Sequence, residues 1–154
     1  MRISILILTA IAAIAVAAEA APRKAGAAKT LILPGVTYEV IHSGPSAGPR
    51  PTRSDEVRIR YVGRLADGSV FSTSAENGAG LSTFAVRTVI PGFSALVQLM
   101  RPGDRWRMTI PAYLAYGRLG RRHTTADVTL KRDVPPDSLL IFDTELVEII
   151  AGAG

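Results

Sequence analysis

Val57-Arg58-Ile59-Arg60-Tyr61-Val62-Gly63-Arg64-Leu65-Ala66-Asp67-Gly68-Ser69-Val70-Phe71 is the stretch on which the fold turns. Val57, Ile59 and Tyr61 alternate with Arg58 and Arg60. A period of two sends one set of side chains into a core and the other into water. Asp67-Gly68 then predicts a hairpin through a type I′ turn, whose two central residues both take positive φ. Val70-Phe71 begins the returning strand. Two strands cannot stand alone in water, so more strands must lie beside this pair and something apolar beneath it.

The flanking sequence supplies both. Val36, Tyr38 and Val40 alternate with Thr37 and Glu39, and Trp106, Met108 and Ile110 alternate with Arg105, Arg107 and Thr109. Short strands are also expected over Thr83–Val86 and, apolar on both faces in part as a central strand would be, over Leu139–Ile150. Ser43–Ser54, with three prolines and two glycines, and the glycine-rich Glu76–Gly80 read as loops. One segment has helical spacing: Phe93, Leu96, Val97 and Met100 fall at i, i+3, i+4 and i+7 between Pro91-Gly92 and Pro102-Gly103. Two turns are too few for an isolated helix, so it must lie on a sheet. The fold class predicted is α+β, a five- or six-stranded antiparallel sheet wrapped around one short α-helix.

At the N-terminus, Met1-Arg2 is followed by sixteen residues, Ile3 to Ala18, with nothing more polar than Ser4 and Thr9. Ala18-Glu19-Ala20 then has the small-x-small form of a cleavage site. An uncleaved anchor is the competing reading, but the run falls short of the roughly 20 residues that span hydrocarbon. Residues 1–20 are therefore expected to be a cleavable signal peptide, with no stable membrane insertion and a periplasmic or secreted destination. Residues 21–33, small and basic, are expected to be a flexible arm, 34–150 the domain and 151–154 a flexible tail. The basic residues of the 21–33 arm, Arg23, Lys24 and Lys29, would permit salt-dependent adhesion to an anionic surface.

Composition removes several function classes. The 154 residues are 47% hydrophobic and 20% charged, as in one globular domain. Without cysteine there is no disulfide framework, thiolate metal site or thiol nucleophile. His42 and His123 have no acidic neighbour at ligand spacing, Gly92-Phe93-Ser94-Ala95-Leu96 lacks the second glycine of a nucleophile elbow, and Gly78-Ala79-Gly80 is not followed by Lys-Ser/Thr. The net charge of +5 is carried mostly by arginine, and in the strands the arginines alternate with core residues. With no nucleic-acid motif in an exported chain, nucleic acid is not an expected partner. An enzyme of this sequence would work without nucleophile, metal or bound cofactor.

Four motifs in order give the chain a family resemblance. Tyr61-Val-Gly-Arg-Leu-Ala-Asp-Gly-Ser-Val-Phe71, Val89-Ile-Pro-Gly-Phe-Ser-Ala-Leu-Val-Gln-Leu-Met100, Ile110-Pro-Ala-Tyr-Leu-Ala-Tyr-Gly117 and Val134-Pro-Pro-Asp-Ser-Leu-Leu-Ile-Phe142 resemble the FKBP-type peptidyl-prolyl isomerases. The resemblance runs from about Leu33 to Ile149. It implies catalysis of X-Pro rotation in unfolded or nascent exported polypeptides, with no cofactor, and some affinity for macrolides of the tacrolimus and rapamycin type.

By resemblance, Tyr61, Phe71, Ile90, Tyr116 and Phe142 are the catalytic residues. Ser72, Phe84, Val89, Phe93 and Val134 complete the substrate site. Ile90 would give its N–H to the carbonyl after proline, Tyr116 its hydroxyl to another carbonyl, and Phe71, Phe93 and Phe142 would surround the pyrrolidine ring. Ser72 stands where the family has aspartate, held by the tyrosine equivalent to Tyr61, and Phe93 where the pocket floor is tryptophan. Reduced turnover is expected, and macrolide binding should suffer more. A binding module or chaperone with lost catalysis is the alternative. The resemblance also implies that the enlarged, basic loop between Gly117 and Pro135 overhangs the site, either steering acidic or membrane-bound clients or lying solvated, with His123 an exposed side chain. Without the long helical N-terminal region of dimeric relatives, a monomer is expected.

Overall fold

The computed structural model describes residues 29–33, 35–125 and 130–152. The expected signal peptide, most of the arm and the last two residues lie outside them. Seven strands form one antiparallel sheet: β1 (Lys29–Leu33), β2 (Val36–His42), β3 (Glu56–Leu65), β4 (Val70–Thr73), β5 (Ser82–Ala85), β6 (Arg105–Ile110) and β7 (Leu140–Ile150). Their order is β1-β2-β6-β7-β3-β4, with β5 also pairing β3. The α-helix, α1 (Pro91–Val97), lies against the inner face, where Phe93, Leu96, Val97 and Met100 are buried with Met108, Ile110, Leu140 and Leu146.

The alternation read from the sequence sets the faces. Val57, Ile59, Tyr61, Gly63 and Leu65 point inward along β3, and Leu140, Phe142, Thr144 and Leu146 do so along β7. Outward residues pair across strands: Arg58 with Glu148 at 2.8 Å, Arg60 with Glu145 at 3.3 Å and Arg107 with Asp143 at 2.7 Å. These exposed pairs stabilise little, at most about 1 kcal/mol each. Their value is to register, because a slip of one residue would bury every arginine. Burying one aliphatic side chain of the opposite face contributes about 1.5–3 kcal/mol, so the core dominates.

Four local expectations are corrected. Lys29–Leu33, read as the end of a flexible arm, forms β1 and pairs with β2, from Lys29 opposite Val40 to Leu33 opposite Val36. Thr30-Leu31-Ile32-Leu33 is an apolar, partly β-branched run, and the alternating β2 offers it a free edge. With β1 added to the strands read from the sequence, the antiparallel sheet has seven strands. Next, the 65–69 hairpin is not type I′. Gly68 N–H donates to Leu65 O at 2.9 Å, and of the Asp67-Gly68 pair Gly68 alone has positive φ, +84°. This is a three-residue turn ending in a left-handed glycine. Asp67 Oδ1 accepts the Ser69 N–H at 2.9 Å and its hydroxyl, which holds the form; the same bonds keep the Asp67 carboxyl below its ordinary value.

The helix, expected to reach Met100, ends at Val97. Leu99 and Met100 donate instead to Leu96 O and Val97 O, a tighter closing turn. Finally, the tail begins tethered: Gly152 N–H donates to Asp55 Oδ1 at 3.0 Å.

Candidate active site

The inner face of β3, β4 and β7, the start of α1 and the segment after β6 enclose a cleft of about 440 Å³. Its walls are aromatic because inward positions on adjacent strands bring rings together. Phe142 on β7 is the hub. Its ring centroid lies 5.5 Å from Phe71 and 5.2 Å from Phe93, both edge to face, and 6.3 Å from Tyr61. Phe84 on β5 closes edge to face on Tyr61 at 5.7 Å. Such pairs contribute about 0.5–1.5 kcal/mol each beyond area burial. Opposite Phe142 in the register stands Gly63, where a Cβ would come within 2.9 Å of both the Phe71 and Phe142 rings. Glycine there makes room for the aromatic corner.

The polar groups are few. Tyr61 and Ser72 share a buried hydroxyl–hydroxyl hydrogen bond of 2.7 Å. Ser72 thus meets the tyrosine that the resemblance pairs with an aspartate, but it brings no charge. Ile90 caps α1 without a side-chain bond, and its carbonyl accepts the Ser94 N–H at 3.0 Å. Among the described residues no acceptor takes the Ile90 N–H, and Ile90 lines the cleft. Tyr116 is half-buried just after the Ala112–Leu114 turn, its hydroxyl oxygen accepting from Arg121 Nη1 at 3.4 Å.

The described parts of the long loop, residues 117–125 and 130–135, meet at this site. Arg121 and Val134 exchange backbone hydrogen bonds of 2.9 and 2.8 Å, Leu130 bridges to Ser72, and Lys131 N–H donates to Phe71 O at 2.8 Å. Lys131 Nζ also pairs with Glu76. The strap brings Leu130 and Arg121 into the lining.

Nine of the ten residues named from the sequence meet here: Tyr61, Phe71, Ser72, Phe84, Val89, Ile90, Phe93, Tyr116 and Phe142. Val134 does not. It is buried in the hydrophobic core, with its backbone paired to Arg121. Ile59, Thr88, Arg121 and Leu130 line the cleft without having been singled out as site residues. Ile59 carried a signal, being on the inward phase of β3. The position of Arg121 depends on how the strap folds, which local spacing does not encode.

Residues 48–147 match the family model described as FKBP-type peptidyl-prolyl cis-trans isomerase. The chain is 40% identical over 116 residues to the FKBP-type 22 kDa peptidyl-prolyl cis-trans isomerase of Escherichia coli, covering 75% of this chain and 50% of that one. It is 41% identical over 118 residues to the macrophage infectivity potentiator of Trypanosoma cruzi, covering 77% and 55%. The chain spans about half the length of the curated relatives it matches. Among solved structures, FkpA from Escherichia coli superposes with a TM-score of 0.63 at 31% identity, covering 78% of this chain and 50% of that one. A peptidyl-prolyl cis-trans isomerase from Pseudomonas syringae pv. tomato gives 0.61 at 31% identity, covering 75% of each. By motif, fold and cleft together, the chain belongs to the FKBP-type peptidyl-prolyl cis-trans isomerase family.

Proposed function

We propose that this domain catalyses the cis–trans rotation of X-Pro bonds in exported polypeptides, and that it does so without covalent chemistry. The single observation that carries this reading is the aromatic corner of Phe71, Phe93 and Phe142, with the Ile90 N–H and the Tyr116 hydroxyl in the same cleft. A planar X-Pro amide is dipolar and rotates over a barrier of the ~18–20 kcal/mol size of ordinary amides. At the twisted geometry resonance is lost and the dipole shrinks. An apolar enclosure therefore penalises the ground state more than the transition state, which is the differential that lowers a barrier. The ring box takes the pyrrolidine, and the two donors fix the flanking carbonyls so that the bond between them turns.

The alternative, a module that binds without catalysing, rests on Ser72 and Phe93. Ser72 keeps a buried hydrogen bond to Tyr61, and Phe93 keeps its contact with Phe142, so no wall of the cleft is missing. Export fits the sequence of residues 1–20, and a relative from Legionella longbeachae is named an outer membrane protein. A periplasmic or secreted monomer acting on unfolded proline-containing chains is the working assignment, with weak macrolide binding.

The test is an isomerase assay on X-Pro peptides with a Tyr116→Phe, Phe142→Ala double variant as control. Acceleration by the native protein and its collapse in the folded variant is the expected result. A flat rate from folded native protein, with proline-free clients still kept from aggregating, would move the assignment to the chaperone alternative.

A further inference from the structure

A second cleft, of about 320 Å³, lies between the 43–50 loop and the 99–104 turn and shares no lining residue with the aromatic one. One wall is Tyr38 stacked on Trp106, with ring centroids 4.4 Å apart and planes 13° from parallel. Two arginines also line it, Arg50 and Arg101. Arg101 is held before any ligand arrives, because its Nε donates to Gly48 O at 3.3 Å, so less freedom is lost on binding. Among the described residues neither guanidinium has another hydrogen bond or ion pair.

The lining has one carboxylate, and it is engaged. Asp104 Oδ1 accepts the Gly44 N–H and Oδ2 the Arg101 N–H, both at 2.7 Å, so both oxygens rest on backbone rather than on a guanidinium. Two arginines against one aspartate leave the lining net positive. Arg105, exposed and opposite His42 in the register, adds a further positive charge at this end of the sheet. A guanidinium fork pairs its N–H donors with two oxygens at a time. A phosphate monoester offers three terminal oxygens and a charge of about −1.5 to −2, enough for two forks, where a carboxylate fits one. The stacked rings beside the arginines give contact area to an apolar body.

We propose that this cleft binds a phosphate monoester carrying an apolar group, with the phosphoryl on Arg50 and Arg101 and the apolar part against Tyr38 and Trp106. A soluble phosphomonoester and the head group of phosphatidic acid share that chemistry. No residue of the aromatic cleft takes part, so this site is independent of the isomerase reading.

Trp106 is the chain's single tryptophan, so its emission reports this cleft and not the aromatic one. The purified protein is titrated at fixed ionic strength with dihexanoyl phosphatidic acid below its micelle concentration. Dihexanoyl phosphatidylcholine, with the same chains but a choline-neutralised phosphate, is the control. A saturable emission change is expected, with a Kd for phosphatidic acid at least about fivefold below that for phosphatidylcholine. Arg50→Gln and Arg101→Gln should each weaken binding about two- to five-fold, and the double variant further. Arg118→Gln with Arg122→Gln, both exposed on the strap, should leave it unchanged. Flotation with phosphatidic acid vesicles, abolished in the Arg50, Arg101 double variant, assigns the group to a membrane lipid. Soluble binding without flotation assigns it to a free phosphomonoester.

The absence of a saturable change with phosphatidic acid overturns the proposal. So does equal affinity for phosphatidylcholine, affinity that survives in the folded double variant, or an equal loss in the strap variant. Arg50 is exposed, so if Arg101→Gln fails to fold, Arg50→Gln alone decides by the same comparison.

Discussion

Phe142 touches three of the other rings of the cleft, so its loss is felt by all of them. Phe142→Leu keeps most of the volume but removes the edge-to-face contacts with Phe71 and Phe93. At about 0.5–1.5 kcal/mol each, these amount to about 5- to 150-fold in kcat/KM if the rings act on the transition state. Isomerase rates and a denaturant midpoint on the same sample separate that loss from unfolding. Gly63→Ala tests the corner from the other side: a methyl 2.9 Å from two rings forces them apart. Destabilisation of about 1–3 kcal/mol is expected, read from urea titration, with a larger proportional fall in activity. Phe93→Trp widens the ring at the cleft floor and should tighten a tacrolimus-type ligand more than it changes peptide turnover. Calorimetric titration beside the rate assay checks it.

Among elements, the loops opposite the cleft depend on one carboxylate. Asp104 is buried and accepts the Gly44 N–H on Oδ1 and the Arg101 N–H on Oδ2, both at 2.7 Å. Asparagine offers a single acceptor oxygen. Asp104→Asn should therefore cost about 1–3 kcal/mol in a thermal or urea melt, with isomerase activity unchanged below the melting range. The elements themselves were mostly legible, because the period of two in Val57–Tyr61, Trp106–Ile110 and Val36–Val40 reports a half-buried surface directly. β1 was not, since Arg23, Lys24 and Lys29 give the whole 21–33 stretch the composition of a linker and its apolar end pairs only through a neighbouring edge. The hairpin type was hidden in the Asp67 side chain, whose bonds to Ser69 select the longer turn. For the site, nine of the ten residues named from the motifs line one cleft and Val134 does not, because a motif places a residue in the chain without saying which surface it meets. Arg121 was invisible as a cleft residue for the converse reason.

At the scale of the molecule, two carboxylates link stability to pH. Backbone N–H groups of Thr52 and Gly152, with the Thr52 hydroxyl, hold the Asp55 carboxyl below its ordinary value; the Ser69 bonds do the same for Asp67. A depressed folded-state value means the charged form is favoured by folding. The contribution is thus fully present above the unfolded carboxylate range and is lost as pH falls through the lower, folded value. The melting temperature should decline on acidification through that window. Asp55→Asn should flatten the decline while lowering the neutral-pH melting temperature, as scanning calorimetry across pH would record. The tether also ties the end of β7 to the loop that leads into β3, since Asp55 precedes β3 and Gly152 follows β7.

Along its other edge, β3 changes partners, pairing with β5 over Glu56–Ile59 and with β4 from Val62. At the seam, Tyr61 N–H donates to the Ser74 hydroxyl at 2.9 Å and Tyr61 O accepts the Ser74 N–H at 3.0 Å. The sheet is therefore built there as two panels sharing a spine, and the cleft tyrosine sits on the crease. Ser74, with the Thr73 hydroxyl donating to Tyr61 O at 3.2 Å, clasps that crease. Whether the two panels keep one rhythm or two is written in a single amide, that of Tyr61, whose exchange lifetime should match that of its β3 neighbours if the clasp holds.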